Sequence, residues 1–105
     1  TDSFVNVCIE SSNGHFENAS NSEITFTNSE IHLTNGYFQN SGTISGVLNA
    51  VWLENGDLDN SVAQDWTLNI STYCVSGSVN NISSSNLPAS EDCSSISGSF
   101  PCSCN

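Results

Sequence analysis

The sequence has 105 residues, a common length for one domain, and it carries 11 carboxylates but no Lys or Arg, for a net charge of −11. Phosphate backbones repel such a chain and acidic lipids find no basic residues on it, so nucleic acid is excluded as a direct partner and phosphoryl transfer is disfavoured. No apolar run reaches the roughly 20 residues that span a bilayer, so no membrane insertion is predicted.

The polar part of the composition consists mainly of uncharged residues, with 21 Ser, 15 Asn and 7 Thr. Enough Ile, Val, Leu and Phe remain to build a modest core, so we expect a folded chain. The start "TDSFVNV" lacks the basic residues of a signal peptide, which favours a mature, processed product. Five Cys in a short, polar chain suit an oxidising compartment, so the predicted location is extracellular, either secreted or on a cell surface.

The predicted elements are short strands separated by turns. In chain order they are "VNVCIE", "EITFT", "EIHLT", "GTISGVL", "AVWLE", "WTLNI" and "STYCV". Apolar and polar residues alternate in these segments, as they do in half-buried strands. No segment follows the 3.6-residue period of a helix. The sequence therefore predicts a single all-β domain over residues 1–105.

One short phrase recurs along the chain: a turn residue, Gly, any residue, an apolar residue, any residue, and usually Asn. Successive starts are 22, 20, 21 and 21 residues apart. Two or three short strands in such a period make one coil of a β-solenoid, so we predict a stack of about five coils of 20 to 22 residues. The phrases are "NGHFEN" from Asn13, "NGYFQN" from Asn35, "NGDLDN" from Asn55, "SGSVNN" from Ser76 and "SGSFPC" from Ser97.

Alternation within the coils predicts which side chains face the core. His32, Tyr37 and Trp52 are predicted to face solvent, whereas Trp66 is expected to pack in the core. The predicted inward columns place Val51 on Ile31, Leu53 on Leu33 and Leu58 on Phe38.

Asn recurs four residues after the motif Gly, at Asn18, Asn40, Asn60 and Asn81. Stacked side-chain amides can hydrogen-bond along a solenoid, so these residues predict a ladder at one corner. N-glycosylation sequons begin at Asn18, Asn69 and Asn81 and predict a glycoprotein. At Asn18 and Asn81 the two predictions conflict, because an amide buried in a ladder cannot carry a glycan.

A β-sandwich is the alternative fold. The segment "ITFTNSEIHLTNGYFQNSGTISG" also fits consecutive hairpins that turn at residues 28–29, 35–36 and 41–42. About nine short strands would fill a jelly-roll or an immunoglobulin-like sandwich. Such a sandwich could also donate its N-terminal strand, "SFVNVCIE", to the sheet of a neighbouring copy.

The wording "LTNGYFQNSGTISG" resembles the coils of filamentous haemagglutinin-type adhesins, in which Asn-Gly corners alternate with small apolar strands. The resemblance covers residues 13–62 best. The layout of five repeats is also similar to that of curli-type amyloid subunits, although their Gln-x-Gly-x-Gly-Asn signature is absent. Both resemblances imply a secreted, non-enzymatic surface polymer or adhesin, and neither implies particular site residues.

The five cysteines are Cys8, Cys74, Cys93, Cys102 and Cys104. They permit at most two internal disulfides and leave one thiol over. The first cysteine lies at one end of the predicted stack and the last two lie at the other end. An intermolecular, head-to-tail disulfide is therefore one use for the odd thiol, and a buried free Cys is the other. The spacing does not indicate a zinc site.

Few residues suggest catalysis or ligand binding. Trp52 and Tyr37 are candidates for stacking against sugars, since aromatic rings bind the apolar faces of sugars without charge. Glu54, Asp57 and Asp59 offer oxygen ligands for a weak calcium site, although an acidic turn explains them equally well. His15 and His32 are expected on the surface without acidic partners, and no "GxSxG" nucleophile motif occurs, so an enzyme is not predicted. No cofactor is predicted.

These features together predict an extracellular structural subunit that self-assembles into a glycosylated filament, a pilus-like fibre or a surface layer. Open β edges at both ends of a short stack and an odd cysteine would favour such a homopolymer. The alternative is a monomeric carbohydrate-binding or adhesive module, with glycans as its partners.

Overall fold

The computed structural model describes residues 2–62 and 65–81, together with Leu87, Ser90 and Cys93. Nine strands form within the two continuous ranges. They are β1 (Asp2–Val5), β2 (Cys8–Ser12), β3 (His15–Asn18), β4 (Glu23–Thr34), β5 (Tyr37–Asn40), β6 (Thr43–Glu54), β7 (Asp57–Asn60), β8 (Asp65–Val75) and β9 (Val79–Asn81).

The strands form two sheets in which every pairing is parallel. One sheet has the order β1-β4-β6-β8, with β2 also on β4, and the other has the order β3-β5-β7-β9. Each strand pairs with the strand one repeat further along the chain, for example Ile24 with Ile44 and Phe38 with Leu58. The fold is therefore the predicted β-solenoid, and the described strands make four coils. The fifth predicted repeat, from Ser97, lies outside the described residues.

The sandwich alternative is wrong because its hairpins would pair neighbouring strands antiparallel. Residues 28 and 29, one of the expected hairpin turns, instead lie inside the continuous strand β4. There the register shifts between Phe26 and Glu30, so β4 bends without reversing direction. The two halves of β4 accept separate partners, since β1 pairs with its first half and β2 with its second.

Each coil consequently has three faces. The first face consists of β1 and the first halves of β4, β6 and β8. The second face consists of β2 and the second halves of the same long strands. The third face consists of β3, β5, β7 and β9.

The core is a set of apolar columns that run along the stack. The three predicted inward columns are confirmed: Ile31 pairs with Val51, Leu33 with Leu53 and Phe38 with Leu58, and all six side chains are at most 2% exposed. Aromatic rings also stack between coils, with centroids 5.4 Å apart for Phe4 and Phe26 and 5.1 Å apart for Phe16 and Phe38. Trp66 lies in the core, 5% exposed, as predicted.

Gly46 sits where the register of β6 shifts and two coils approach closely. Its φ is +102°, and a Cβ atom there would lie 2.0 Å from the carbonyl oxygen of Phe26. Only Gly fits this position, because any side chain would force the two backbones apart.

The abundance of Asn has a backbone explanation at the corners. Among non-Gly residues in the described ranges, only Asn has positive φ, and Asn tolerates this left-handed region better than other side chains do. Tight corners therefore repeat without a Gly at every turn. The six residues are Asn6, Asn13, Asn21, Asn28, Asn35 and Asn55.

The predicted amide ladder runs along the corner after the third face. Asn18 Nδ2 donates to Asn40 Oδ1 at 2.8 Å, Asn40 Nδ2 to Asn60 Oδ1 at 2.9 Å, and Asn60 Nδ2 to Asn81 Oδ1 at 2.9 Å. The first three residues are at most 2% exposed. Asn40 Oδ1 also accepts from the backbone N–H of Gly42 at 3.1 Å. The ladder therefore satisfies both side-chain and backbone groups in the interior.

A second amide ladder, which the sequence analysis did not identify, runs along the corner between the first and second faces. Asn28 Nδ2 donates to Asn6 Oδ1 at 2.7 Å, and Asn49 Nδ2 donates to Asn28 Oδ1 at 2.6 Å. All three side chains are exposed, so water competes for these hydrogen bonds. The two ladders share the same chemistry and differ in burial.

This difference predicts unequal stability effects. Asn40→Ala removes the acceptor of the Gly42 N–H and the amide that donates to Asn60 Oδ1, both in a buried interior, so we expect the free energy of unfolding to fall by about 3 kcal/mol. Asn49→Ala is the matched control in the exposed ladder, where water replaces the lost bond and the expected loss is below about 1 kcal/mol. Urea unfolding followed by circular dichroism measures both. Equal losses would show that burial of the ladder is not what stabilises it.

Candidate functional site

The two aromatic residues predicted to stack against sugars lie on different faces. Trp52 lies on β6 in the second face, and Tyr37 lies on β5 in the third face. Both are half-buried. They cannot form one sugar platform, so each has to be considered with its own neighbours.

A groove on the outside of the solenoid contains Trp52. It has a volume of about 340 Å³, and we call it the second-face groove. Most of its lining comes from neighbouring coils of the second face, where Glu10, His32 and Trp52 succeed each other in one outward column. Its lining residues are Glu10, Ser11, Ser12, His32, Thr34 and Trp52.

His32 is buried, contrary to the prediction that it faces solvent: only 4% of it is exposed. Its direction was predicted correctly, but its surroundings were not. The ring lies edge-on to Trp52 with centroids 5.1 Å apart, and its Nε2 is 3.3 Å from Glu30 Oε1. Neighbours in adjacent coils therefore cover a side chain that points away from the core.

Burial controls the charge of His32. Loss of water around the ring lowers its pKa below the ordinary value of 6.5, and the opposing effects of the Glu30 and Glu10 carboxylates are smaller. At neutral pH the groove therefore contains a neutral imidazole, whose Nε2–H donates to Glu30 and whose Nδ1 is an acceptor.

Tyr37 makes a separate cluster on the third face. Its ring packs on His15 with centroids 4.6 Å apart, and its hydroxyl donates to Asp59 Oδ2 at 3.4 Å. Desolvation, and then the charge of Asp59 and the hydrogen bond to it, raise the pKa of the Tyr37 hydroxyl. These contacts occupy both the ring and the hydroxyl of Tyr37.

The carboxylates proposed as calcium ligands do not converge. Asp57 Oδ1 accepts from the backbone N–H of Ser78 at 2.7 Å, and Asp59 Oδ1 accepts from the N–H and hydroxyl of Ser61 at 3.0 and 2.6 Å. The bonds from Ser61 lower the pKa of Asp59. Glu54 joins neither arrangement, and no three metal-ligating side chains cluster in the described part of the chain. The turn reading of this acidic stretch is therefore favoured over a calcium site.

Cys74 and Cys93 form a disulfide with Cα atoms 5.2 Å apart, and both are buried. Cys8 is also disulfide-bonded, so it is not the free thiol that a crosslink requires. Cys102 and Cys104 lie outside the described residues, and the crosslink predicted for the odd cysteine concerns them alone. The Cys74–Cys93 bond fits an oxidising compartment.

The structure distinguishes between the three sequons. Asn18 is 2% exposed and its Nδ2 donates within the buried ladder, so the ladder prediction is confirmed there and a glycan on the folded protein is disfavoured. Asn69 is exposed on the first face. Asn81 is exposed and contributes its Oδ1 to the end of the ladder. Ladder and glycan are compatible at Asn81, because the glycan would attach to the other amide atom.

Most residues of the second-face groove were not predicted from the sequence. The repeat spacing could have placed some of them together, because Glu10 and His32 are 22 residues apart and pair in register, as do Ser12 and Thr34. The enclosure of the groove by Trp52 from a third coil depends on side-chain packing and gave no such signal.

Comparisons of the chain with known protein families, known proteins and solved structures found no match. Across residues 2–62 and 65–81, no helix is long and apolar enough to cross a membrane. Function must therefore be inferred from the chemistry of the described surfaces.

The buried His32 predicts a pH dependence of stability. Its lowered pKa means that the unfolded chain takes up a proton below pH 6.5 before the folded chain does, so the free energy of unfolding should decrease as the pH falls below that value. Replacing the ring by His32→Gln should make this decrease shallower between about pH 7 and about pH 5.5.

The measurement is urea unfolding at a series of pH values. His15→Gln is the matched control, since it removes the histidine that is exposed on the third face. Identical pH dependence in His32→Gln and the unaltered protein would contradict the assignment to His32.

Sequon occupancy is a second prediction of this geometry. After secretion from a eukaryotic host, Asn69 and Asn81 should carry glycans and Asn18 should not. Because trypsin has no cleavage site here, glycopeptides need a protease that cuts at acidic or aromatic residues. Ser71→Ala should remove one glycan, whereas Ser20→Ala, which destroys the Asn18 sequon without touching the ladder, should leave the mass of the glycans unchanged. A glycan on Asn18 of folded protein would refute the burial argument.

Proposed function

We propose that this protein is an extracellular, non-enzymatic structural subunit that associates with copies of itself through its first coil. The observation that supports this proposal is that the core is incompletely buried at the first coil. Phe4, Ile9 and Phe16 of the first coil are half-buried, although they occupy inward columns. We call these three side chains the open end.

The equivalent residues one coil further are fully enclosed. Phe26 and Phe38 are 1% exposed and Ile31 is 0% exposed. The difference arises because β1, β2 and β3 each have a strand partner on one side only within the described residues. A further layer of strands would bury the open end and pair its backbone groups, as each internal coil does for its neighbour.

The opposite end of the stack differs. Leu87 packs against the core cluster, the hydroxyl of Ser90 accepts from the backbone N–H of Val75 at 3.0 Å, and Cys93 is bonded to Cys74.

Open edges were predicted at both ends, and β8 and β9 also have a strand partner on one side only within the described residues. On the third face of the last coil, Val79 stands in the inward column of Leu58 and is 42% exposed. We assign association to the first coil because inward residues on all three of its faces remain half-buried. In the last coil, by contrast, Trp66, Leu68, Tyr73 and Val75 are at most 9% exposed.

Two open ends that meet form a two-fold pair, in which the same surface of each copy contacts its partner. Growth from pairs into the predicted filament requires a second contact, and an intermolecular disulfide from the odd cysteine would supply one. Each chain carries a net charge of −11, so association has to overcome repulsion that salt screens. We therefore expect association to strengthen as ionic strength rises.

Sedimentation over a wide range of protein and salt concentrations, under non-reducing conditions, tests the proposal. Association of the unaltered protein should increase with protein concentration and with salt concentration. Phe4→Glu places a charge in the open end and should abolish association. Val62→Glu is the matched control, because it adds the same charge at a valine that is 62% exposed in the third coil, away from the open end.

Circular dichroism of each variant separates loss of association from loss of folding. Unaltered protein that stays monomeric throughout would overturn the proposal. Association that Phe4→Glu and Val62→Glu weaken equally would assign the effect to charge and not to the open end. Electron microscopy of associated material then distinguishes pairs from filaments.

A further inference from the structure

We propose that the second-face groove is a binding site for a neutral carbohydrate, of the size of one or two sugar units. The site lies on the outside of the second face and does not depend on self-association through the open end. Three features favour such a ligand: the composition of the lining, the packing that supports Trp52, and the charge of the chain.

The lining matches the hydrogen-bonding needs of a sugar. Ser12 and Thr34 pair in an outward column and carry hydroxyls, which both donate and accept, as sugar hydroxyls do. Glu10 adds a carboxylate that only accepts, and in the neutral His32 the Nε2–H donates to Glu30, which leaves Nδ1 as an acceptor. A ligand with many hydroxyl groups can satisfy these side chains without contributing any charge.

Trp52 supplies the apolar part of the site. Its indole ring lines the groove and is half-buried, and its position is supported by the edge contact with His32 at 5.1 Å. Aromatic rings bind the C–H faces of sugars, and a ring already held by its neighbours loses little conformational freedom on binding. The arrangement of one supported aromatic ring beside hydroxyls favours a sugar over a purely apolar ligand.

Charge narrows the class of sugar. The chain has no Lys or Arg, and Glu10 lines the groove while Glu30 lies behind His32. Sulfated, phosphorylated and sialylated sugars would meet like charge with no cation to offset it. Neutral hexoses, pentoses and N-acetylhexosamines avoid this repulsion.

The volume of the groove limits the length of the sugar that it can hold. The groove volume of about 340 Å³ lies near the lower end of the roughly 300–1,000 Å³ that small-molecule sites occupy. This space suits a terminal sugar or a disaccharide. A long polysaccharide chain would contact the groove through one or two units only.

The experiment begins with an array that carries neutral, sulfated and sialylated glycans. We expect binding to a subset of the neutral glycans. The free mono- or disaccharide from the strongest spot is then titrated while Trp fluorescence is recorded. Trp66 is buried in the core, so a change on binding should come from Trp52.

Three variants assign the binding to the groove. Trp52→Ala should raise the apparent Kd about tenfold or more, since it removes the stacking surface. Thr34→Val keeps the side-chain volume, removes one hydroxyl, and should weaken binding by a smaller factor. Tyr37→Ala is the matched control: it truncates the half-buried aromatic residue of the third face and should leave the Kd unchanged. Far-UV circular dichroism verifies that each variant is folded. If Trp52→Ala does not fold, the binding of Thr34→Val tests the groove instead.

Absence of binding to every neutral glycan, both on the array and with free N-acetylglucosamine and lactose in solution, would overturn the proposal. So would a preference for anionic glycans, or binding that Trp52→Ala and Thr34→Val do not change. Sedimentation of the sugar-bound protein keeps this result separate from self-association, since a monomer that binds sugar would support the groove while refuting the open end.

Discussion

Parallel stacking in register is the constraint on which the rest of this structure depends. Each position of a coil lies directly on the equivalent position of the next coil, so a residue has to be compatible with its own column. Apolar columns satisfy this condition by burial, and the Asn columns satisfy it by hydrogen bonding from amide to amide. Columns of like-charged residues are unfavourable, because their side chains repel each other. In the strand registers of the described residues, no carboxylate stands directly on another: Glu10 is followed by His32, and Glu17 by Gln39.

The same constraint explains which features the sequence could predict. The columns of Ile31, Leu33 and Phe38 and the buried Asn ladder repeat at 20 to 22 residues, so alternation and spacing were sufficient to find them. Features that break the repeat were missed. Residues 28 and 29 fitted a hairpin turn by composition, but the preserved register carried β4 through them with a bend, because pairing with β6 continues on both sides.

The burial of His32 shows a second limit of sequence reasoning. Alternation predicts whether a side chain points towards the core, but it does not predict what covers a side chain that points outward. Trp52 in the next coil and Glu30 on the same strand enclose the imidazole, although neither belongs to the core. The groove has the same origin, since residues of three coils form it. The spacing of apolar residues is sufficient to predict the core of such a fold. The second-face groove, by contrast, depends on different residue types that follow each other within outward columns.

These outward columns connect the composition with the two proposals. A solenoid that satisfies its corners with Asn and covers its faces with Ser and Thr presents many neutral donors and acceptors, while its only charges are negative. Such a surface discriminates against polyanions by repulsion and interacts with uncharged groups through hydrogen bonds and aromatic contacts. The open end offers apolar rings and strand edges to a second copy, and the second-face groove offers hydroxyls and an indole to a sugar. In both proposals most contacts come from uncharged groups, with the Glu10 carboxylate of the groove as the exception, which is the kind of contact left to a chain without cations.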